Sequence, residues 1–187
     1  MPDNFNEFCN RLKLVKAVIT DVDGVLNDAK LYYIPAEGGV YISKFFNVKD
    51  GLGIKLLKLA GIKFGVITGR KDRVVEYRCK ELGCDFFYSG VKDKGKALRE
   101  IISSLGIKKE ELLYVGDDLN DLTAFEEAGI KVAPKDGSKL ILPYADWIVP
   151  VEGGKGVIRY LVEEILNCKG TLKEVSEKFL ALLKERK

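Results

Sequence analysis

Apolar, β-branched runs alternate with amphipathic stretches along almost the whole chain. Leu14 to Thr20, Phe64 to Thr68, Asp85 to Tyr88, Leu112 to Val115 and Ile130 to Ala133 read as buried strands, with Trp147 to Val149 a last member. Between them, apolar residues recur at helical spacing. Ile54, Leu56, Leu57 and Leu59 mark a helix ending at Gly61, and Val74, Val75, Tyr77 and Leu82 one ending at Gly83. Leu98, Ile101, Ile102 and Leu105 mark a third, ending at Gly106; a terminal glycine suits a helix C-cap. Strands alternating with such helices predict βαβ units, and hence an α/β fold with a doubly wound, Rossmann-like parallel sheet.

One segment breaks the rhythm. Leu31 to Ile34 and Val40 to Phe45 flank Pro35-Ala36-Glu37-Gly38-Gly39, a β-hairpin signature over about 30–46, directly after the first strand. It is too short for a domain, so no large cap domain is expected. Its tyrosines and phenylalanines either pack across the strands or meet another subunit. The tail from Thr171 to Lys187 reads as a helix over about 171–185, with Leu172, Val175, Phe179 and Leu182 or Leu183 on one face. Cys168-Lys169-Gly170 before it reads as a hinge. A chain of 187 residues without repeats predicts one domain over 1–187.

Composition narrows the chemistry. Histidine is absent, which excludes Ser-His-Asp and Cys-His hydrolases and His-ligated zinc. Proton transfer then falls to carboxylates, lysine, tyrosine or water, and a metal should be a hard cation held by oxygen, Mg²⁺ first. The net charge of +3 comes from 31 basic and 28 acidic residues, and no basic run interleaved with aromatics suggests nucleic acid. No stretch reaches the roughly 18 apolar residues of a membrane span, and the N-terminus lacks a signal-peptide core. Cys9, Cys79, Cys84 and Cys168 show no CxxC spacing and read as reduced thiols in a cytoplasmic protein.

The carboxyl ends of the strands carry four chemical stations. The first strand ends in Asp21-Val22-Asp23-Gly24, two carboxylates one residue apart. Ligands of parallel sheets bind beyond these strand ends. One carboxylate there can attack phosphorus while the other shuttles a proton, although acids also close strands for purely local reasons. The second strand ends in Thr68-Gly69-Arg70, where a hydroxyl can donate to a phosphoryl oxygen or simply cap a helix. After the third strand come Lys92, Asp93, Lys94, Gly95 and Lys96; Asp93 as an N-cap would place Lys94 at the helix start, facing the site. The fourth station is Gly116-Asp117-Asp118-Leu119-Asn120-Asp121, whose clustered carboxylates would repel one another without a cation between them.

The order DxD, Thr, Lys, GDDxxD resembles the haloacid dehalogenase superfamily of aspartate-nucleophile phosphatases. A response-regulator receiver also combines acids, Thr and Lys, but its lysine comes last. The hairpin, Asn47-Val48-Lys49-Asp50-Gly51, Ile67-Thr68-Gly69-Arg70-Lys71, Arg78-Cys79 and Gly153-Gly154-Lys155-Gly156-Val157-Ile158-Arg159 resemble the capless subgroup. Within it they are similar to the 3-deoxy-D-manno-octulosonate 8-phosphate phosphatases of bacterial lipopolysaccharide synthesis. Asn27 stands where that family usually has threonine, and Lys49, Lys55 and Lys155 stand where arginine is usual.

The resemblance implies that Asp21 forms an aspartyl-phosphate and that Asp23 protonates the leaving oxygen, then activates water. It implies Mg²⁺ held by Asp21, the backbone carbonyl of Asp23, and Asp117, with Asp118 and Asp121 orienting these ligands, and Thr68 and Lys94 gripping the phosphoryl oxygens. Asn47, Val48, Lys49, Asp50, Gly51, Lys55, Arg70, Arg78 and Lys94 would contact a small, anionic, phosphorylated sugar acid. A homotetramer is implied, since a capless site needs a neighbour to close it. Two alternatives stand beside this reading: the same mechanism on an acylneuraminate 9-phosphate or another small ester, and a non-catalytic binding module on the same fold.

Overall fold

The structure, a computed structural model, describes residues 5–185. The chain runs α1 (Phe5–Lys13), β1 (Ala17–Thr20), β2 (Tyr32–Ala36), β3 (Gly39–Ser43), α2 (Val48–Leu59), β4 (Lys63–Thr68) and α3 (Arg73–Leu82). It continues through β5 (Phe86–Ser89), α4 (Lys94–Leu105), β6 (Leu112–Val115), α5 (Leu122–Glu127), β7 (Ile130–Ala133), β8 (Trp147–Ile148), α6 (Val157–Cys168) and α7 (Leu172–Glu185). Among the described residues, no helix is long and apolar enough to cross a membrane.

Six strands form one parallel sheet in the order β5-β4-β1-β6-β7-β8. Burial on both faces explains the unbroken apolar runs. Along β1, Val18 points to one layer with Phe64, Val66, Leu113 and residues of α1, α2 and α6. Ala17 and Ile19 point to the other, with Ile67, Leu112, Tyr114 and residues of α4 and α5. The doubly wound sheet therefore matches its sequence pattern.

Register places the chemistry. Thr20 pairs with Val66 on one side and Val115 on the other, so β1 and β6 end level. The next residues along, Asp21 and Gly116-Asp117, emerge at the same sheet edge, and Asp21 N–H donates to the Val115 carbonyl at 2.9 Å.

Several expectations change in detail. Leu14 and Val15 do not join the first strand; their N–H groups donate to Arg11 and Leu12 and close α1, and β1 starts at Ala17. Helices α1, α5 and α6 add to those read from periodicity. The hairpin forms as β2 and β3, paired from Tyr32↔Ser43 to Ala36↔Gly39, apart from the main sheet. Tyr32 and Phe45 stack edge-on at 4.7 Å and, like Tyr33, Ile34, Val40, Tyr41 and Ile42, are exposed. The tail forms α7, and the last two residues of the reading, 186 and 187, lie outside those described.

Cys9 and Cys168 form a disulfide between α1 and α6, which corrects the reading of four reduced thiols. The partners lie 159 residues apart, so spacing could not reveal the pair. Cys79 and Cys84 are free thiols.

Candidate active site

The site grows from the turn after β1. Val22 is buried, and its carbonyl accepts from the N–H groups of Val25, Leu26 and Asn27, winding the chain back on itself. Gly24 sits at φ 86, a conformation that disfavours a side chain. Gly153 packs directly on the Gly24 backbone, and Gly154 N–H donates to the Val25 carbonyl at 3.0 Å. The glycine-rich loop before α6 is thus the floor under this turn. It cradles backbone, which agrees with its lack of a nucleotide-binding pattern.

Asp21 lies beneath the turn, buried against Lys94. Lys94 Nζ stands 2.9 Å from Asp21 Oδ2 and 2.7 Å from Asp121 Oδ1. Asp93 caps α4 by accepting from Lys96 N–H, so Lys94 is the first residue of that helix, as expected from its position. Asp121 is wholly buried and fully engaged. It accepts from Lys94 and from the Tyr114 hydroxyl at 2.7 Å, and from the N–H groups of Asp117 and Asp118 at 2.9 and 3.3 Å. These bonds fix the loop that presents Asp117.

Electrostatics follow from this crowding. Burial, with the Asp121 charge next, pushes the Asp21 carboxyl up to about 7. Burial, then Asp121 and Asp21, raises Asp117 to about 8. For Lys94, burial opposes the charge, but Asp21 and Asp121 outweigh it and hold the ammonium above the ordinary lysine value. Burial, then Asp121 and Asp21, likewise raises the Tyr114 phenol.

Oxygens of Asp21, Asp117 and Asp121 lie within 4.8 Å of one another. Three hard oxygen donors, two of them pushed against ionisation by burial and by neighbouring carboxylates, suit a divalent cation such as Mg²⁺. Asp121 already accepts from four donors, whereas Asp21 pairs with Lys94 through one oxygen.

Asp23 faces outward. Its carboxylate accepts from Asn27 at 2.8 Å and from Lys44 at 2.7 and 2.9 Å, and Arg70 Nε lies 3.6 Å away. Lys44 also pairs with Asp72, the N-cap of α3, at 3.0 Å. Burial works against ionisation of Asp72, yet Lys44 and the Val74 N–H hold its carboxyl below the usual value. Thr68, at the end of β4, accepts from Arg70 N–H through Oγ1 at 3.3 Å, which is a local turn bond and leaves its own proton free to donate.

Asp21, Asp23, Thr68, Arg70, Asp117 and Asp118 line one cavity of about 410 Å³, together with residues of the hairpin approach such as Leu31. Lys94 and Asp121 sit behind it. The remaining expected contacts lie elsewhere. Val48, Gly51, Lys55 and Arg78 line a separate cavity of about 250 Å³, and Lys49 is exposed. Arg78 pairs with Glu81 at 2.7 Å and lies over the Phe46 ring. Asn47 caps α2 by accepting from Lys49 N–H, and its amide donates to the Gly154 carbonyl at 3.4 Å.

Asp50 is buried and accepts from Arg159 N–H at 2.8 Å, capping α6 from outside. Burial raises its carboxyl to about 6. Asn47 and Asp50 therefore tie α2 to the loop that floors the Asp21 turn. Three residues of the site carry no sequence signal of their own: Lys44, just after the second hairpin strand; Tyr114, one of a buried strand's apolar residues; and Asp72, one acid among several charged neighbours.

The haloacid dehalogenase-like hydrolase family matches residues 87–161, which include Lys94 and the Asp117 to Asp121 cluster. The 3-deoxy-D-manno-octulosonate 8-phosphate phosphatase of Escherichia coli K12 is 38% identical over 160 residues, covering 86% of this chain and 84% of the relative. That of Yersinia pestis is 35% identical over 167 residues, covering 89% and 88%. Among solved structures, the phosphatase of Moraxella catarrhalis, in complex with magnesium, phosphate and KDO, superposes with a TM-score of 0.86 at 36% identity, covering 93% of this chain and 98% of its own. The cobalt-bound deoxy-D-mannose-octulosonate 8-phosphate phosphatase of Haemophilus influenzae gives 0.81 at 36% identity, covering 87% and 93%. At 38% identity over most of both chains, and with its four stations gathered at one sheet edge, this chain belongs to the 3-deoxy-D-manno-octulosonate 8-phosphate phosphatase family of haloacid dehalogenase-like hydrolases.

Proposed function

We propose that the chain is a Mg²⁺-dependent phosphatase that hydrolyses 3-deoxy-D-manno-octulosonate 8-phosphate to the sugar acid and phosphate, a step of lipopolysaccharide precursor synthesis. The observation that carries this reading is Asp21, buried between Lys94 and the Asp117 cluster while opening onto the 410 Å³ cavity beside Asp23. In the first step an Asp21 carboxylate oxygen attacks phosphorus. The bond from phosphorus to the sugar oxygen breaks, and Asp23 gives that oxygen its proton. In the second step Asp23 takes a proton from water, whose oxygen attacks the aspartyl-phosphate. Phosphate leaves and Asp21 is restored.

Asp21, Asp117 and the backbone carbonyl of Asp23 would hold Mg²⁺, which when bound supplies positive charge against the phosphate and the crowded carboxylates. Lys94 holds Asp21 in place and, with the Thr68 hydroxyl, binds phosphoryl oxygens. Asp118 and Asp121 orient the Asp117 loop. Arg70, which lines the cavity, meets the substrate's negative charge. Asn47 and Asp50 act at a distance, by fixing α2 to α6.

We assign a homo-oligomer, a tetramer by family resemblance. The support is the two-stranded hairpin beside an open cavity, with apolar residues exposed on both strands. We place it in the cytoplasm by family resemblance, although a disulfide such as Cys9–Cys168 is uncommon in that compartment.

The test is Mg²⁺-dependent phosphate release from the octulosonate ester, run beside an acylneuraminate 9-phosphate and an aryl phosphate, with Asp21→Asn as control. Preference for the octulosonate ester, abolished by that change, supports the reading. Hydrolysis of the aryl ester alone keeps the chemistry and removes the substrate; no hydrolysis favours a binding module.

A further inference from the structure

Lys44 is a buried charge outside the Asp21, Lys94 and Asp121 group, with a side chain 1% exposed. It sits immediately after β3, at the base of the hairpin. Its ammonium spans two loops that come from different strands. On one side it donates to both oxygens of Asp23, in the turn after β1. On the other it pairs with Asp72, which caps α3 just beyond the Thr68-Gly69-Arg70 segment.

A buried ion pair is a weak source of stability, because desolvation offsets most of its attraction. Its geometric effect is strong. Two carboxylates drawn to one ammonium fix the spacing between the loops that bear them. Asn27 holds the Asp23 carboxylate from a third direction. With Lys44 and Asn27 both engaged, Asp23 keeps one orientation toward the cavity it lines.

We infer that Lys44 is a positioning residue for proton transfer: it holds the Asp23 carboxyl where the leaving oxygen departs and locks that carboxyl to the loop that grips the phosphoryl group. This rests on the phosphatase reading above and adds to it the residue through which the hairpin reaches the chemistry. A shift of about 1 Å in a catalytic group is enough to cost about 100-fold in rate. A rearrangement of the hairpin base, such as packing against a second copy, reaches Asp23 through the Lys44 side chain.

The role predicts a dependence on the leaving group that loss of packing would not produce. A sugar alkoxide needs a proton to leave; a 4-nitrophenolate does not. The quantity to measure is kcat/KM, which reports events up to aspartyl-phosphate formation and is blind to its hydrolysis. In Lys44→Met, kcat/KM for the octulosonate ester should fall about 100-fold while that for 4-nitrophenyl phosphate stays within about threefold of wild type. The Mg²⁺-induced rise in melting temperature should be kept. Asp72→Asn, which keeps a good helix cap but removes the outer anchor, should show the same selectivity at smaller amplitude.

Equal losses for both esters, or none, in Lys44→Met would overturn the inference. Should that variant lack a cooperative melt, Asp72→Asn decides: an unchanged ratio between the two esters overturns it. A wild type that hydrolyses neither ester removes the phosphatase reading and this inference together. A wild type active on both, with variants that lose activity uniformly, removes this inference alone.

Discussion

Gly24 and Asp117 lie so close that a Cβ on Gly24 would overlap the Asp117 carboxylate. The bare backbone of Gly24 is therefore what lets the fourth station reach the first. Gly24→Ala should displace Asp117, and the positive φ of 86 at that position adds strain. Expected are loss of Mg²⁺-induced thermal stabilisation and a fall in kcat of at least about 100-fold. Thermal melts with and without Mg²⁺, beside a phosphate-release assay, check both. A variant that still binds Mg²⁺ normally would show that the carboxylate can find another path.

The crowded carboxylates should make the site a stability cost when no cation is bound. Asp117, held at about 8 by burial and by Asp121 and Asp21, resists ionisation at neutral pH. Asp117→Asn should therefore melt several degrees higher than wild type in the presence of a chelator, as active-site substitutions often do. In Mg²⁺ the order should reverse. A cation at a hundredfold excess over Kd stabilises wild type by about 2.7 kcal/mol and leaves the variant unchanged. Differential scanning calorimetry in both conditions is the measurement.

Asp50 gives a pH dependence away from any metal ligand. Its carboxyl titrates near 6 in the folded chain, raised by burial, against a reference value of 3.8. Below 3.8 both states are protonated and Asp50 costs nothing. Between 3.8 and about 6 the unfolded chain loses its proton first, so the folded state is progressively disfavoured; above about 6 the full cost is present. Asp50→Asn keeps an acceptor for Arg159 N–H and carries no charge. Urea unfolding should find it more stable than wild type at pH 7 by up to about 3 kcal/mol, with the gap closing toward pH 4. A gap that widens as pH falls would contradict this assignment.

The Cys9–Cys168 bond closes a loop of 159 residues, for which the chain-entropy argument gives about 5 kcal/mol. Cys9→Ser should lower the melting temperature by more than about 10 °C. Activity at room temperature should survive, because Cys168 ends α6 about 18 Å along the helix from its catalytic end. Melting curves with and without reductant on wild type should reproduce the same difference.

What could be read from the chain divides along a physical line. Asp21, Asp23, Thr68, Lys94 and Asp117 each follow a strand that announces itself by its own apolar run, so local pattern and strand-end geometry suffice to gather them. The sheet was legible for the same reason. Asp50 and Arg78 were read as substrate contacts by motif resemblance alone. Asp50 meets the start of α6, over 100 residues further on, and Arg78 lies over the Phe46 ring as well as pairing with its near neighbour Glu81; spacing reveals only the last of these. Lys44 directly follows a strand of exposed residues, and nothing local distinguishes a lysine facing inward there from one facing water. Helices α1 and α5 are short; α1 does place Phe5, Phe8, Cys9 and Leu12 at helical spacing, but over only nine residues.

The disulfide between the first helix and the end of α6 also makes the body of this protein covalently a ring from Cys9 to Cys168, with α7 outside it. A protease that cuts the exposed hairpin opens the ring without dividing it. On a denaturing gel the nicked protein would migrate near its full mass until thiol is added, and only then separate into two fragments.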